Sequence, residues 1–148
     1  MIEGVIITSL RRIADERGEV ITMLRSDEPH FIDFGEVYFS TVHFGAIKGW
    51  HMHQKMILNY AVPYGLIKFV LYDDRPGSKT QGKIQEIDLG LGSDLLVTVP
   101  PMVWNGFKGV SLDTAIVTNC ASIPHDPHEI LRKDVFDPYI PYDWGVNH

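Results

Sequence analysis

Two histidines one residue apart, His51 and His53, lie in Gly45-Ala-Ile-Lys-Gly-Trp-His51-Met-His53-Gln-Lys-Met-Ile-Leu58-Asn59, the stretch of this chain best suited to chemistry. Along an extended chain, side chains two apart point the same way, so both rings share one face. Such a pair serves as metal ligands, as acid–base groups or as surface residues, and His-x-His alone does not choose among them. An imidazole titrates near ~6.5, which suits proton transfer at neutral pH. Tyr38, Tyr60 and Tyr72 lie in apolar, strand-like runs, where a hydroxyl acts as a proton donor or simply packs in a core. Arg17, in the turn signal Asp15-Glu16-Arg17-Gly18, and Lys48, three residues before His51, are cations suited to a diphosphate. Asp73, Asp143 and Glu36 are carboxylates available to orient a histidine. The lone Cys120 excludes an internal disulfide and a cysteine-rich zinc site, and its apolar surroundings predict a buried, inert thiol.

These residues need a scaffold, and the local pattern predicts strands. Val37–Phe44, Ile57–Val62, Leu66–Tyr72, Ile84–Leu89, Leu95–Val99 and Thr114–Thr118 are short runs rich in Val, Ile, Phe, Tyr and Thr. Turn chemistry separates them at Tyr64-Gly65, Arg75-Pro76-Gly77-Ser78, Gly90-Leu91-Gly92-Ser93-Asp94 and Pro100-Pro101. Closely spaced strands without helical periodicity indicate a sandwich or a barrel. Helix is expected only as a turn or two at Ser9–Ile13 and at Pro127–Lys133, the latter with Asp126 as its N-cap. The aromatic tail from Asp137, with Tyr139, Tyr142 and Trp144, is expected to pack on the barrel.

The 148 residues fit one domain, 1–148, and 45% hydrophobic with 22% charged residues is ordinary for a soluble globular chain. A net charge of −6 argues against nucleic-acid binding, yet leaves room for an anionic small molecule held by a few cations. No apolar run approaches the ~20 residues of a membrane span. Met1–Ile13 does not read as a secretory signal, so a cytoplasmic location is expected.

The spacing from Gly45 through His51-x-His53 to Gly65 resembles the first motif of the cupins, jelly-roll (double-stranded β-helix) barrels. Metal-binding cupins add a glutamate where this chain has Ile57 and Leu58, and a third histidine where it has Asn105. With that ligand set missing, a metal-free cupin is the expectation, with no cofactor. Nearly the whole chain resembles one group of these, the dTDP-4-dehydrorhamnose 3,5-epimerases. Asp15-Glu16-Arg17-Gly18 is similar to their Asp-x-Arg-Gly, and Lys48-Gly49-Trp50-His51 to their Arg-Gly-Leu-His. Gly65 through Tyr72-Asp73-Asp74-Arg75 resembles their Gly…Val-Asp-Leu-Arg, and Pro100–Phe107 their Pro-x-Gly-Phe-Ala-His-Gly-Phe. Pro127-His128-Glu129, Asp137-Pro138 and Asp143-Trp144 resemble their closing motifs.

The resemblance implies an all-β, single-domain cupin barrel with little helix. It also implies an isomerase that epimerises an NDP-4-keto-6-deoxyhexose in deoxysugar or polysaccharide biosynthesis, and a homodimer. His51 would be the base, and His53, Tyr38, Tyr60 and Asp73 are the other candidates for catalysis. Arg17, Lys48, Asn59, Asn105 and Glu129 are the candidates for holding the nucleotide sugar. The family's acid, a late-strand tyrosine, falls at Val117, its lysine falls near Leu58 or Asn59, and its partner aspartate lies beyond the Asp-Trp motif. Lys48-Gly-Trp-His51-Met-His53 and Pro101-Met-Val-Trp104 are also similar to segments of the dTDP-sugar 3,4-ketoisomerases, which makes that reaction the alternative. A non-catalytic cupin that binds a sugar nucleotide is a third reading.

Overall fold

A computed structural model describes residues 1–146; Asn147 and His148, which end the expected domain, lie outside the described residues. Twelve strands are described and no helix: β1 (Ile6–Ser9), β2 (Arg11–Asp15), β3 (Gly18–Thr22), β4 (Glu36–Val42), β5 (Ile47–His53), β6 (Leu58–Tyr64), β7 (Leu66–Tyr72), β8 (Ile84–Gly90), β9 (Leu95–Val99), β10 (Trp104–Gly109), β11 (Ala115–Ala121) and β12 (Ile130–Arg132). Consequently no described helix is long and apolar enough to cross a membrane. Two five-stranded antiparallel sheets, ordered β1-β9-β6-β11-β4 and β12-β5-β10-β7-β8, form the cupin barrel, and β2–β3 make a separate hairpin.

Alternation along the strands divides the apolar residues between two cores. Tyr60, Val62, Val97, Val99 and Val117 of the first sheet meet Ile67, Phe69, Leu71, Leu89 and Phe107 of the second, all nearly or fully buried. Trp50, Met52, Val70 and Trp104 point out of the second sheet, where the tail covers them with Ile140 and Trp144. Trp50 and Trp144 pack with centroids 5.0 Å apart, and both indole N–H groups donate to the Val135 carbonyl. The tail therefore packs as its aromatic content predicts. Gly106 makes this possible: a Cβ there would lie 3.2 Å from the Trp50 ring and 3.3 Å from that of Trp144. At Gly65, a φ of +81° turns β6 into β7, and a Cβ would collide with Ala115 at 2.6 Å.

Of the predicted strands, β7 and β9 have the expected bounds, and β4, β6, β8 and β11 differ from them by one to three residues at an end. Both short helices are corrected to strand. Ser9 closes β1, which pairs with β9, and Arg11–Ile13 belong to the β2–β3 hairpin. At the other segment, Asp126 does cap a single turn through the His128 N–H at 2.9 Å, but the chain then extends as β12. The reason is the open edge of β5, whose backbone groups need partners. Ile130 pairs with His53 and Arg132 with His51, and Trp50 exchanges backbone hydrogen bonds with Lys133.

Candidate active site

Because β5 pairs with β10 on one side and β12 on the other, its inward side chains face the first sheet across the barrel. Between the sheets lies a cavity of about 400 Å³. One wall carries Lys48, His51 and His53 of β5 with Arg132 of β12. The other carries Tyr38 and Ser40 of β4, Tyr60 of β6, and Val117 and Asn119 of β11. Phe107 and Met56 give it an apolar floor, and Glu36 and His125 also line it. Its size suits a small-molecule ligand.

The two histidines share this cavity, as their spacing predicts, but they are held differently. The Nδ1–H of His53 donates to the Glu129 carboxylate, which is only 2% exposed. That bond fixes the ring, leaving Nε2 as its second functional atom. Burial would push the Glu129 carboxyl up, but His53 and the backbone N–H groups of Lys55 (3.0 Å) and Met56 (3.2 Å) outweigh it and hold the acid below its usual range. His51 has no hydrogen-bond partner for its ring among the described residues. Burial, followed by the charges of Arg132, His53 and Lys48, lowers its pKa to about 4. At neutral pH this imidazole is uncharged and able to accept a proton.

The cations of the same wall are lightly committed. Lys48 Nζ donates to the neutral Ser40 hydroxyl at 2.9 Å, and Arg132 makes no ion pair among the described residues. Opposite them, Asn119 Nδ2 donates to the Tyr38 hydroxyl at 3.0 Å. Tyr60 is shielded by Phe69 and Phe107; burial, followed by the neighbouring Tyr38, pushes its phenol far above the normal range.

Five of the ten expected site residues lie outside the cavity lining. Asp73 is fully buried in the turn after β7, where its carboxylate accepts from Arg75, Ser78 and Thr80. Burial would push its carboxyl up, but those donors hold it well below the usual range, and it orients no histidine. Arg17 stands exposed at the β2–β3 turn, paired with Asp15 at 2.7 Å and remote from the cavity lining. Asn59 is buried, giving its amide N–H to the Cys120 carbonyl and its oxygen to Thr98. Asn105 donates to the His51 carbonyl at 3.1 Å and so braces β5 without lining the cavity. Glu129 supports His53 where a substrate contact was expected. Tyr60 lies in the lining, nearly fully buried. Tyr38, Lys48, His51 and His53 stand at the cavity as expected.

Three residues of the wall, Ser40, Arg132 and Asn119, escape sequence reading. Arg132 falls in a segment that resembles a capped helix, and only pairing with β5 turns it toward His51. Asn119 carried a usable signal, a lone amide in an apolar strand, Ala115–Ala121. Burial pushes the Cys120 thiol up, in keeping with an inert group. Among the described residues, no three His, Cys, Asp or Glu side chains cluster in a way that would hold a metal ion.

The chain's similarity to known proteins is extensive. The sequence profile described as dTDP-4-dehydrorhamnose 3,5-epimerase matches residues 1–148. The probable low-salt glycan biosynthesis epimerase Agl13 of Haloferax volcanii is 32% identical over 96% of this chain and 89% of its own length. The spore coat polysaccharide biosynthesis protein SpsL of Bacillus subtilis is 28% identical over 99% of this chain and 98% of its own. A crystal structure of a dTDP sugar isomerase from Desulfovibrio desulfuricans G20 superposes with a TM-score of 0.95 at 41% identity, covering 99% of this chain and 94% of that one.

Proposed function

The chain belongs to the dTDP-4-dehydrorhamnose 3,5-epimerase family, and from that premise we propose that it epimerises an NDP-4-keto-6-deoxyhexose with His51 as the base. The observation that carries this reading is the uncharged, unpartnered His51 ring between two lightly committed cations, Lys48 and Arg132. A hydrogen on the carbon beside a ketone is acidic because the resulting anion spreads onto the oxygen. Removing it takes a neutral base within reach, and the enolate is stabilised by nearby positive charge. Lys48 and Arg132 supply that charge, or hold the diphosphate of the same substrate. The ring of His53, fixed by Glu129, bounds the wall beside the base.

Cations facing the cavity outnumber what a neutral sugar needs, which supports a nucleotide sugar as ligand. We read the active protein as a cytoplasmic homodimer whose protomer is one domain over residues 1–148. Val37 and Phe39 support pairing: they stand on the outer face of edge strand β4, and Phe39 is 71% exposed. Arg17, on its projecting hairpin, is then placed to meet a ligand only at such an interface.

Proton NMR of a dTDP-4-keto-6-deoxyhexose incubated with the protein in heavy water tests the reading. Loss of the C3 or C5 proton signal with changed sugar couplings is the expected result, and the sites of loss say which carbons are inverted. Movement of the carbonyl from C4 to C3 would instead assign a ketoisomerase. Binding without any exchange would overturn the catalytic role of His51.

A further inference from the structure

Inverting a carbon requires that a proton leave from one face and return to the other. His51 stands on the wall built by the second sheet, so the returning proton must come from the first. Six residues of that wall line the cavity: Glu36, Tyr38, Ser40, Tyr60, Val117 and Asn119. Glu36 is committed to the chain after β11, where its carboxylate accepts the backbone N–H of His125 at 2.8 Å. Val117 has no polar group. Ser40 accepts from Lys48, and an aliphatic hydroxyl is too weak an acid to give up a proton readily. The choice lies between the amide of Asn119 and the two phenols.

Hydrogen bonding and exposure decide it. Asn119 Oδ1 accepts the backbone N–H of Asn59 at 3.0 Å, so the orientation of its amide is fixed. Its Nδ2 therefore faces Tyr38 and donates to that hydroxyl at 3.0 Å. Tyr60 is 8% exposed and packed against Phe69 and Phe107, which leaves Tyr38 the more accessible phenol. The Asn119 N–H thus occupies one acceptor site of the Tyr38 oxygen, and the Tyr38 O–H, which donates to no described residue, is left to point into the cavity, where the residue is 37% exposed. No other hydroxyl of the wall is so arranged.

We propose that Tyr38 is the catalytic acid, the group that returns a proton to the sugar carbon from the face opposite His51; this rests on the epimerase reading above. In the first half of the reaction the C–H bond breaks, its proton passes to the His51 imidazole, and its electron pair forms the enolate. In the second half the enolate carbon takes the Tyr38 proton, the C=O re-forms, and a phenolate remains. Water restores the Tyr38 proton and removes the one held by His51, so nothing is consumed. Asn119 is the positioning residue for this hydroxyl.

The test separates exchange from inversion. In heavy water, wild-type protein should place deuterium in the substrate and form the inverted product. Tyr38→Phe should lower formation of inverted product about a hundredfold. It should still exchange hydrogen for deuterium with configuration retained, because His51 can return a deuteron to the face it came from. His51→Asn should lose both. Inversion by Y38F at the wild-type rate would overturn the proposal, as would equal loss of exchange and inversion in a Y38F protein whose thermal unfolding is unchanged. If Y38F does not fold, 3-fluorotyrosine at position 38, a stronger acid of nearly the same shape, should move the alkaline limit of inversion to lower pH; an unmoved limit would contradict the assignment. Absence of any exchange by the wild-type protein would instead overturn the epimerase reading, and Tyr38 with it.

Discussion

The Asp73 turn and the His51 wall are both polar sites in a largely apolar barrel, and they are built in opposite ways. Asp73 is fully buried and its carboxylate receives five donors: the N–H, Nε and Nη2 of Arg75 and the hydroxyls of Ser78 and Thr80. Nothing is left over for a ligand, and the cluster ties the turn after β7 to the start of the chain through Arg75 and the Glu3 carbonyl. His51 has a ring without partners, beside cations that do not neutralise one another. A saturated polar group stabilises a fold, whereas an unsaturated one facing a cavity is available to a substrate. Glu129 shows the intermediate case, a saturated carboxylate whose function is spent on fixing another side chain.

The sharpest break of this contrast is at His51. His51→Asn should lower the exchange rate by about a thousandfold, the usual scale for losing a general base. Its thermal unfolding should stay close to that of the wild type, since the ring forms no hydrogen bond with the protein. Asp73→Ala should do the reverse. It strands Arg75, Ser78 and Thr80, and should cost about 3 kcal/mol in urea unfolding, with kcat nearly unchanged in the folded fraction. A large loss of kcat in Asp73→Ala would mean that the turn is coupled to the site. Glu129→Gln should fall between them, slowing exchange about tenfold through a less firmly held His53 ring. If the two histidines act independently, its exchange rate will match the wild type.

Much of the barrel is legible in the sequence because β-branched and aromatic runs alternate with turn residues, and β7 and β9 emerge with their bounds intact. The strands that sequence reading misses are held by pairing more than by composition. β12 is three residues long and exists because β5 offers an edge, and β10, Trp104-Asn-Gly-Phe-Lys-Gly109, contains two glycines that a propensity reading counts against a strand. The site is legible on β5, where a period of two places His51 and His53 on one face. It is not legible where two distant segments meet. That Glu129 reaches His53 across 76 residues, or that Asn119 reaches Tyr38 across 81, follows from sheet order alone. Asp73 misleads for the same reason: a motif places a carboxylate near the end of a strand but says nothing of how many donors surround it.

The acid limb of the pH dependence of kcat/KM is the most direct test of His51 as the base, because that limb reports the free enzyme. A histidine must be neutral to accept a proton, so activity is lost as pH falls through its pKa. With the His51 pKa lowered to about 4 by burial and by Arg132, His53 and Lys48, deuterium exchange at low substrate concentration should hold from neutral pH to well below the ordinary histidine value and reach half near pH 4. Half-loss near ~6.5, where an unperturbed histidine titrates, would show that the working base is not the buried His51 ring.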